Sequence, residues 1–117
     1  MQRDLQRLED VRDAAGDVIE FCRGLDLAGF ETDKARRYAA LHALTIIGEA
    51  SNGFSPELIA RHSQVPWRRI IAFRHRLVHG YESLDLALVW EVATRLVPEL
   101  RSQILDVLSR EFRDDAG

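Results

Sequence analysis

Four long stretches of the chain repeat apolar residues at every third or fourth position, and this spacing constrains the fold more than any other feature. It is the period of an α-helix that buries one face. The first stretch carries Leu5, Leu8, Val11, Ala15, Val18, Ile19 and Cys22. No segment alternates apolar and polar residues with the period of two that is typical of a strand. We therefore expect an all-α fold, an up-and-down antiparallel bundle of four long helices plus a short one.

Capping residues set the expected helix bounds. We place the long helices at residues 2–24, 34–51, 66–81 and 86–112, and the short one at 56–63. Thr32 or Asp33, Ser55 and Asp85 are candidate N-caps, and Pro56 suits a first helical turn. The glycines of "RGLDLAGF" indicate a connection between the first two long helices. Pro98 is expected to kink or break the last helix.

Length and composition predict one domain, residues 1–117, in the cytoplasm. The chain is 46% hydrophobic and 30% charged, as in ordinary globular proteins. Cys22 is the only cysteine, which excludes an intramolecular disulfide and a thiolate zinc site. We find neither a leader nor an apolar run of about 20 residues, and so expect no membrane association. The net charge of −3 argues against a protein that coats nucleic acid by bulk attraction.

Basic charge is nevertheless concentrated between Arg61 and Tyr81, where there is no carboxylate. This stretch holds arginines 61, 68, 69, 74 and 76 and histidines 62, 75 and 79. Arginines 61, 68, 69 and 76 could follow an RNA backbone, although a solvated face is the commoner role of such residues. The aromatic residues, Trp67 and Trp90 among them, lie on apolar stripes, so we expect them in the core or in a dimer interface rather than stacked on bases.

One arginine of this stretch lies within an apolar stripe. Trp67, Ile70, Ile71, Leu77, Val78 and Tyr81 share one helical face, and Arg74 belongs to it. A guanidinium does not lose its charge, so its burial requires a carboxylate, backbone carbonyls or a water-filled cleft. Glu49 is the candidate counter-ion, because Tyr38, His42, Thr45 and Glu49 follow one line of another helix. Gly48 beside it would permit close approach. A structural ion pair and a functional one both fit.

The same helix carries groups that suit RNA cleavage. His79 lies roughly 140° around the helix from Arg74, and Tyr81 returns to the arginine's side. An arginine can stabilise a charged phosphorane while a histidine removes the proton of the RNA 2′-hydroxyl, so neither a metal nor a cofactor is required. These groups lie along one edge of a single helix and cannot enclose a ligand by themselves. A symmetric dimer that brings two such edges together would form a cleft. A metal site at His75 and His79 is the weaker interpretation, because no third ligand is near in sequence.

Arg74, His79 and Tyr81 reproduce the R-x4-H-x-Y pattern, and in this the chain resembles the HepT-like toxins, a branch of the HEPN superfamily of helical bundles. "IIGEA" at 46 to 50, "VPWRRIIAFRHRLVHGY" and "LDLALVWEVATRLVPEL" extend the resemblance over about residues 30 to 107. It implies a homodimeric, metal-independent endoribonuclease that acts as the toxin of a toxin–antitoxin pair.

Residue roles follow from the same resemblance. Arg74 and His79 would be the catalytic pair at a dimer cleft that binds RNA. Tyr81 would receive AMP from ATP through an MntA-type nucleotidyltransferase antitoxin, and the added phosphate would block RNA. Glu49 and His75 would support the site, although the family commonly has asparagine where this chain has His75. The alternative is a non-catalytic nucleotide- or protein-binding partner of a minimal nucleotidyltransferase.

Overall fold

The computed structural model describes residues 2–80 and 84–112, and this part of the chain is helical and contains no strand. The helices are α1 (Gln2–Cys22), α2 (Leu27–Thr32), α3 (Lys34–Ser51), α4 (Pro56–Arg61), α5 (Trp67–His79), α6 (Leu86–Glu91) and α7 (Val97–Phe112), and a π-helical turn, Val92–Leu96, joins α6 to α7. The predicted all-α bundle is confirmed. No described helix is both long and apolar enough to cross a membrane.

Contacts at the two ends of α1 show that α1 and α3 run antiparallel. At the start of α1, the buried Asp4 carboxylate accepts hydrogen bonds from Ser55 N (3.0 Å) and Ser55 Oγ (2.6 Å), just beyond the end of α3. At the other end, Arg36 Nε in the first turn of α3 donates to the carbonyl of Phe21 (2.8 Å). Gly24, with φ at +77°, turns the chain between them in a conformation that favours glycine.

The core lies where α1, α3, α5 and α7 meet. Its largest fully buried side chains are Phe30, Leu8, Leu58, Leu100, Ile104, Val11, Val18, Val65, Val89, Val97 and Val107. The apolar stripe of the first helix supplies part of this core, as its spacing predicts. Cys22 is also buried, and burial raises the pKa of its thiol, opposed in part by the positive charge of Arg36.

The segment between α1 and α3 contains a short helix that the sequence interpretation lacked. The Asp26 side chain caps α2 by accepting from Gly29 N (2.8 Å). Phe30 of this helix is fully buried, and its ring centroid lies 5.2 Å from that of Trp90. Gly24 thus lies before a helix and Gly29 within it, where an irregular connection was expected. The buried ring of Phe30 holds this segment against α6.

The predicted N-caps are present. Asp33 accepts from Arg36 N (3.1 Å), so Asp33 and not Thr32 caps α3. Ser55 accepts from Leu58 N (3.2 Å) and Asp85 from Ala87 N (3.0 Å). Each cap satisfies an N–H group that the first turn of a helix leaves without a partner.

The break expected at Pro98 lies just before it, in the π-helical turn. Proline has no N–H to donate to the carbonyl four residues earlier. The N–H of Val97 reaches back five residues, to the carbonyl of Val92. The wider turn absorbs the mismatch, so α6, the turn and α7 follow one another from Leu86 to Phe112.

Candidate active site

The start of α5 is anchored by a buried tryptophan. Trp67 Nε1 donates to the carbonyl of His62 (2.9 Å), and its ring meets that of Phe54 edge-on at 5.1 Å between centroids. Ile70 and Leu77 continue the buried face. These contacts fix the rotation of α5 about its axis, and with it the direction of every side chain that follows.

Helices α3 and α5 approach most closely where Gly48 meets Arg74. A Cβ atom added at Gly48 would lie 2.3 Å from Arg74 Cβ and 2.5 Å from Arg74 Cγ. Any larger residue at position 48 would therefore push the helices apart or displace the arginine. The glycine lets the stem of Arg74 lie directly against the backbone of α3.

The guanidinium of Arg74 has one carboxylate partner among the described residues. Arg74 Nη2 donates to Glu49 Oε1 at 3.0 Å, which is the contact that the spacing of α3 predicts. The Arg74 side chain is 24% exposed and that of Glu49 is 56% exposed. Arg74 Nε is buried and has no hydrogen-bond partner in the described part of the chain. The arginine is thus held on one side by Glu49, and the 24% of its side chain that is exposed can meet a ligand.

His75 and His79 lie one helical turn apart on the exposed side of α5. Their ring centroids are 4.4 Å apart, with the planes inclined at 49°. Neither histidine takes part in an ion pair within the described residues. Both rings are available to solvent, and His79 is the last residue of α5.

The comparisons with known proteins agree on one family. The model of the HepT-like family, described as "Ribonuclease HepT-like", matches residues 11–107. A protein of Methanocaldococcus jannaschii named "Putative RNase MJ1380" is 35% identical over 97 residues, 83% of this chain and 89% of that protein. "Probable ribonuclease HepT" of Thermococcus cleftensis is 32% identical over 82% of this chain and 87% of its own length. The chain belongs to the HepT-like ribonuclease family. No solved structure matches it.

Tyr81 lies outside the described residues, so its contacts stay a prediction; α5 closes just before it, where Gly80 N donates to the carbonyl of Arg76 (2.8 Å). Val78 was expected within the buried stripe and is 45% exposed. The buried face of α5 is narrow, because Trp67, Ile70 and Leu77 fill it, and Val78 lies at its margin.

A second cluster, missed by sequence reasoning, joins α4 to the end of α7. Glu111 accepts from Arg61 Nε (2.9 Å) and Arg61 Nη2 (2.8 Å), and Glu111 Oε2 lies 2.6 Å from His62 Nε2. The hydrogen bonds from Arg61 and then His62 lower the pKa of Glu111 to about 2. Nothing in the sequence indicates a contact across 49 residues. The described residues contain no group of three or more His, Cys, Asp or Glu side chains that could hold a metal ion.

Proposed function

We propose that this HepT-like chain is an endoribonuclease in which Arg74 and His79 cleave RNA without a metal ion. The observation that carries the proposal is the state of Arg74. It is pressed against Gly48, held by one contact to Glu49, and keeps a buried Nε without a protein partner. A half-buried cation with unused donors is suited to the oxygens of a phosphate.

The reaction needs a base and a cation. His79 removes the proton of the RNA 2′-hydroxyl, and O2′ attacks the adjacent phosphorus. The new O2′–P bond forms as the P–O5′ bond breaks, and the 5′-oxygen takes a proton from water. Arg74 stabilises the negative charge that builds on the non-bridging oxygens. The products are a 2′,3′-cyclic phosphate and a 5′-hydroxyl end.

Glu49 and His75 support this pair. Glu49 orients Arg74 through its 3.0 Å contact. His75, which stands where the family commonly has asparagine, contacts the ring of His79 from one turn before. An imidazole can replace the amide as a hydrogen-bond donor or acceptor.

The active form in this proposal is a homodimer whose cleft brings two α5 edges together. Val78, 45% exposed, lies between Arg74 and His79 on α5. Covering such a side chain with a second copy would remove apolar surface from water. Analytical ultracentrifugation tests the assembly: wild type sediments as a dimer and Val78→Asp as a monomer. A monomeric wild type that retains full activity contradicts this part of the proposal.

Cleavage of a short RNA in the presence of EDTA tests the catalytic assignment. Wild type cleaves, whereas Arg74→Ala and His79→Ala do not. Arg95→Ala is the matched control, because Arg95 is exposed, lies outside the basic stretch from Arg61 to Tyr81 and makes no ion pair within the described residues. Cleavage by both site variants at the wild-type rate overturns the assignment.

In the cell, we propose that the chain is a cytoplasmic toxin paired with an MntA-type nucleotidyltransferase antitoxin. The phenolic oxygen of Tyr81 would attack the α-phosphorus of ATP, lose its proton and release pyrophosphate. The resulting AMP group adds negative charge in the sequence neighbourhood of Arg74 and His79 and repels RNA. RNA and ATP are both encountered in the cytoplasm.

Two measurements test the toxin pairing. Expression of wild type arrests growth, and expression of His79→Ala does not. Mass spectrometry after incubation with the cognate nucleotidyltransferase and ATP shows one AMP on Tyr81 and none on Tyr81→Phe. Unmodified Tyr81 together with AMP on a third protein would favour a recruiting partner instead of a toxin.

A further inference from the structure

Tyr38, near the start of α3, is an exception among the aromatic residues that the structure describes. Tyr38 is 47% exposed, whereas Trp67 is 5% exposed and Phe30 is fully buried. The aromatic residues were expected in the core or in a dimer interface, and Tyr38 does not lie in the core. An exposed aromatic ring is the group that proteins use to stack on unpaired bases.

Two cations lie over this ring in cation–π contacts. Lys34 Nζ lies 5.6 Å and Arg37 Cζ 5.4 Å from its centroid. Arg37 Nη1 also donates to the carbonyls of Phe30 and Glu31, so α2 fixes the guanidinium in place. Residues 34 to 48 include no carboxylate. The ring is thus presented in a positive setting that is complementary to a phosphate backbone.

A groove leads from Tyr38 toward the proposed active site. It has a volume of about 220 Å³ and is lined by Tyr38, Leu41, His42, Thr45 and Leu77. Pockets for whole small ligands begin at about 300 Å³, so this groove suits a part of a longer ligand. Thr45 lies one turn before Glu49, and Leu77 lies three residues after Arg74. The groove therefore follows the α3–α5 seam that holds the arginine.

We propose that Tyr38 and this groove form a base-binding subsite in which Tyr38 stacks on a nucleobase of the RNA substrate while Lys34 and Arg37 contact its backbone. The proposal rests on the proposed ribonuclease function and adds to it a determinant of substrate binding away from the cut. Tyr38 precedes Glu49 by eleven residues, or about 16 Å along the helix axis. We therefore place the stacked base away from the phosphate that Arg74 contacts.

Steady-state cleavage of a short RNA tests this subsite. Tyr38→Leu keeps an apolar side chain but removes the ring, and we expect KM to rise about 5- to 150-fold, the range for one lost base stack, with kcat unchanged. Tyr38→Trp keeps a low KM. Leu105→Ala is the control for an exposed apolar residue on another helix, since Leu105 is 40% exposed on α7, and it leaves KM unchanged.

A substrate with one base removed locates the contact. Abasic sites are placed at each position of the RNA in turn, and one position away from the cut should raise the wild-type KM as much as Tyr38→Leu does. At that position, Tyr38→Leu should cause no further increase, since the two changes remove the same contact. Independent, additive effects at every position contradict the stacking.

The outcomes separate this inference from the proposed function. If Arg74→Ala cleaves as well as wild type, the proposed function fails whatever Tyr38 does. If cleavage depends on Arg74 but the KM of Tyr38→Leu stays within twofold of wild type, the subsite is wrong. If Tyr38→Leu instead sediments as a monomer and regains the wild-type KM at high protein concentration, the ring belongs to a subunit interface and the subsite is also wrong.

Discussion

The dipeptide Arg-His occurs twice in this chain, at Arg61-His62 and at Arg74-His75, and the two copies have opposite surroundings. Glu111 accepts from both groups of the first pair, and the side chain of His62 is only 8% exposed. Glu49 accepts from Arg74 alone, and His75 is exposed. In the first cluster one carboxylate contacts both residues, although the Arg61 side chain is still 47% exposed, whereas in the second cluster the carboxylate contacts the arginine alone. The difference teaches that residues of the same type are distinguished by their surroundings, here by whether one carboxylate contacts both the arginine and the histidine or the arginine alone.

The largest expected difference between the clusters is in activity. Arg74→Ala should lower kcat/KM for RNA by about 10²- to 10³-fold, the usual cost of removing one donor that stabilises developing charge. Arg61→Ala should leave kcat/KM unchanged. The measurement is initial-rate cleavage of one RNA by both variants, with circular dichroism to show that each is folded. Equal losses in the two variants would remove the distinction between the clusters.

Stability at low pH should depend on the first cluster. The pKa of Glu111 is lowered from 4.5 to about 2 in the folded chain. A lowered folded-state pKa contributes stability above about pH 4.5, and this is lost as the pH falls toward 2; we expect about 1 kcal/mol, because Arg61 is 47% exposed and solvent screens the pair. The Glu111→Gln variant lacks this contribution at pH 7, so its free energy of unfolding should fall less than that of wild type when the pH is lowered. Denaturant unfolding at pH 7 and pH 3 checks this, and parallel pH dependences of the two proteins would refute it.

Two mid-helix glycines give a matched test of the seam at Arg74. Gly48→Ala places a Cβ 2.3 Å from Arg74 Cβ, and should lose about 1 to 3 kcal/mol of folding free energy together with activity. Gly16→Ala places a Cβ 3.6 Å from Arg101 Nε, an ordinary contact. It should gain about 0.5 to 1 kcal/mol from helix propensity, with activity unchanged. Thermal unfolding and RNA cleavage measure both effects, and stabilisation by both substitutions would contradict the close approach.

The smallest expected effect is on the stability contributed by Glu49. Glu49→Gln should change the free energy of unfolding by less than about 1 kcal/mol, because the carboxylate is 56% exposed. Its effect should appear in kcat, since a less firmly oriented Arg74 stabilises the transition state less well. Urea unfolding and single-turnover cleavage, measured on the same preparation, separate the two. A loss of several kcal/mol with kcat intact would make the Arg74–Glu49 pair structural.

Sequence predicted the bundle because its signals are local. Apolar spacing is read within one helix, and Asp33, Ser55 and Asp85 act within a single turn. The same locality explains the errors. Helix α2, Leu27–Thr32, is too short to show a period, and it is fixed by the distant Trp90. The π-helical turn before Pro98 follows from how a long helix accommodates one missing N–H.

The candidate site could be predicted in part. Arg74 was identifiable because a permanent charge within an apolar stripe needs a partner, and the spacing of α3 offered Glu49. The exposure of Tyr38 and Val78 could not be predicted, since each lies at the margin of a face whose width is set by packing. Nor could the sequence show that His62 is buried and His75 exposed, because the carboxylate that contacts His62, that of Glu111, is 49 residues away.

The most direct test of an open, catalytic Arg74 cluster uses two oligonucleotides that differ by one oxygen. Both are the same RNA, but one carries a 2′-deoxynucleotide on the 5′ side of the cleaved bond, and both are incubated with wild type in EDTA. We expect the all-ribose strand to yield a 2′,3′-cyclic phosphate and a 5′-hydroxyl end, and the deoxy strand to stay intact at that position. Equal cleavage of both strands, or 5′-phosphate products, would contradict this expectation.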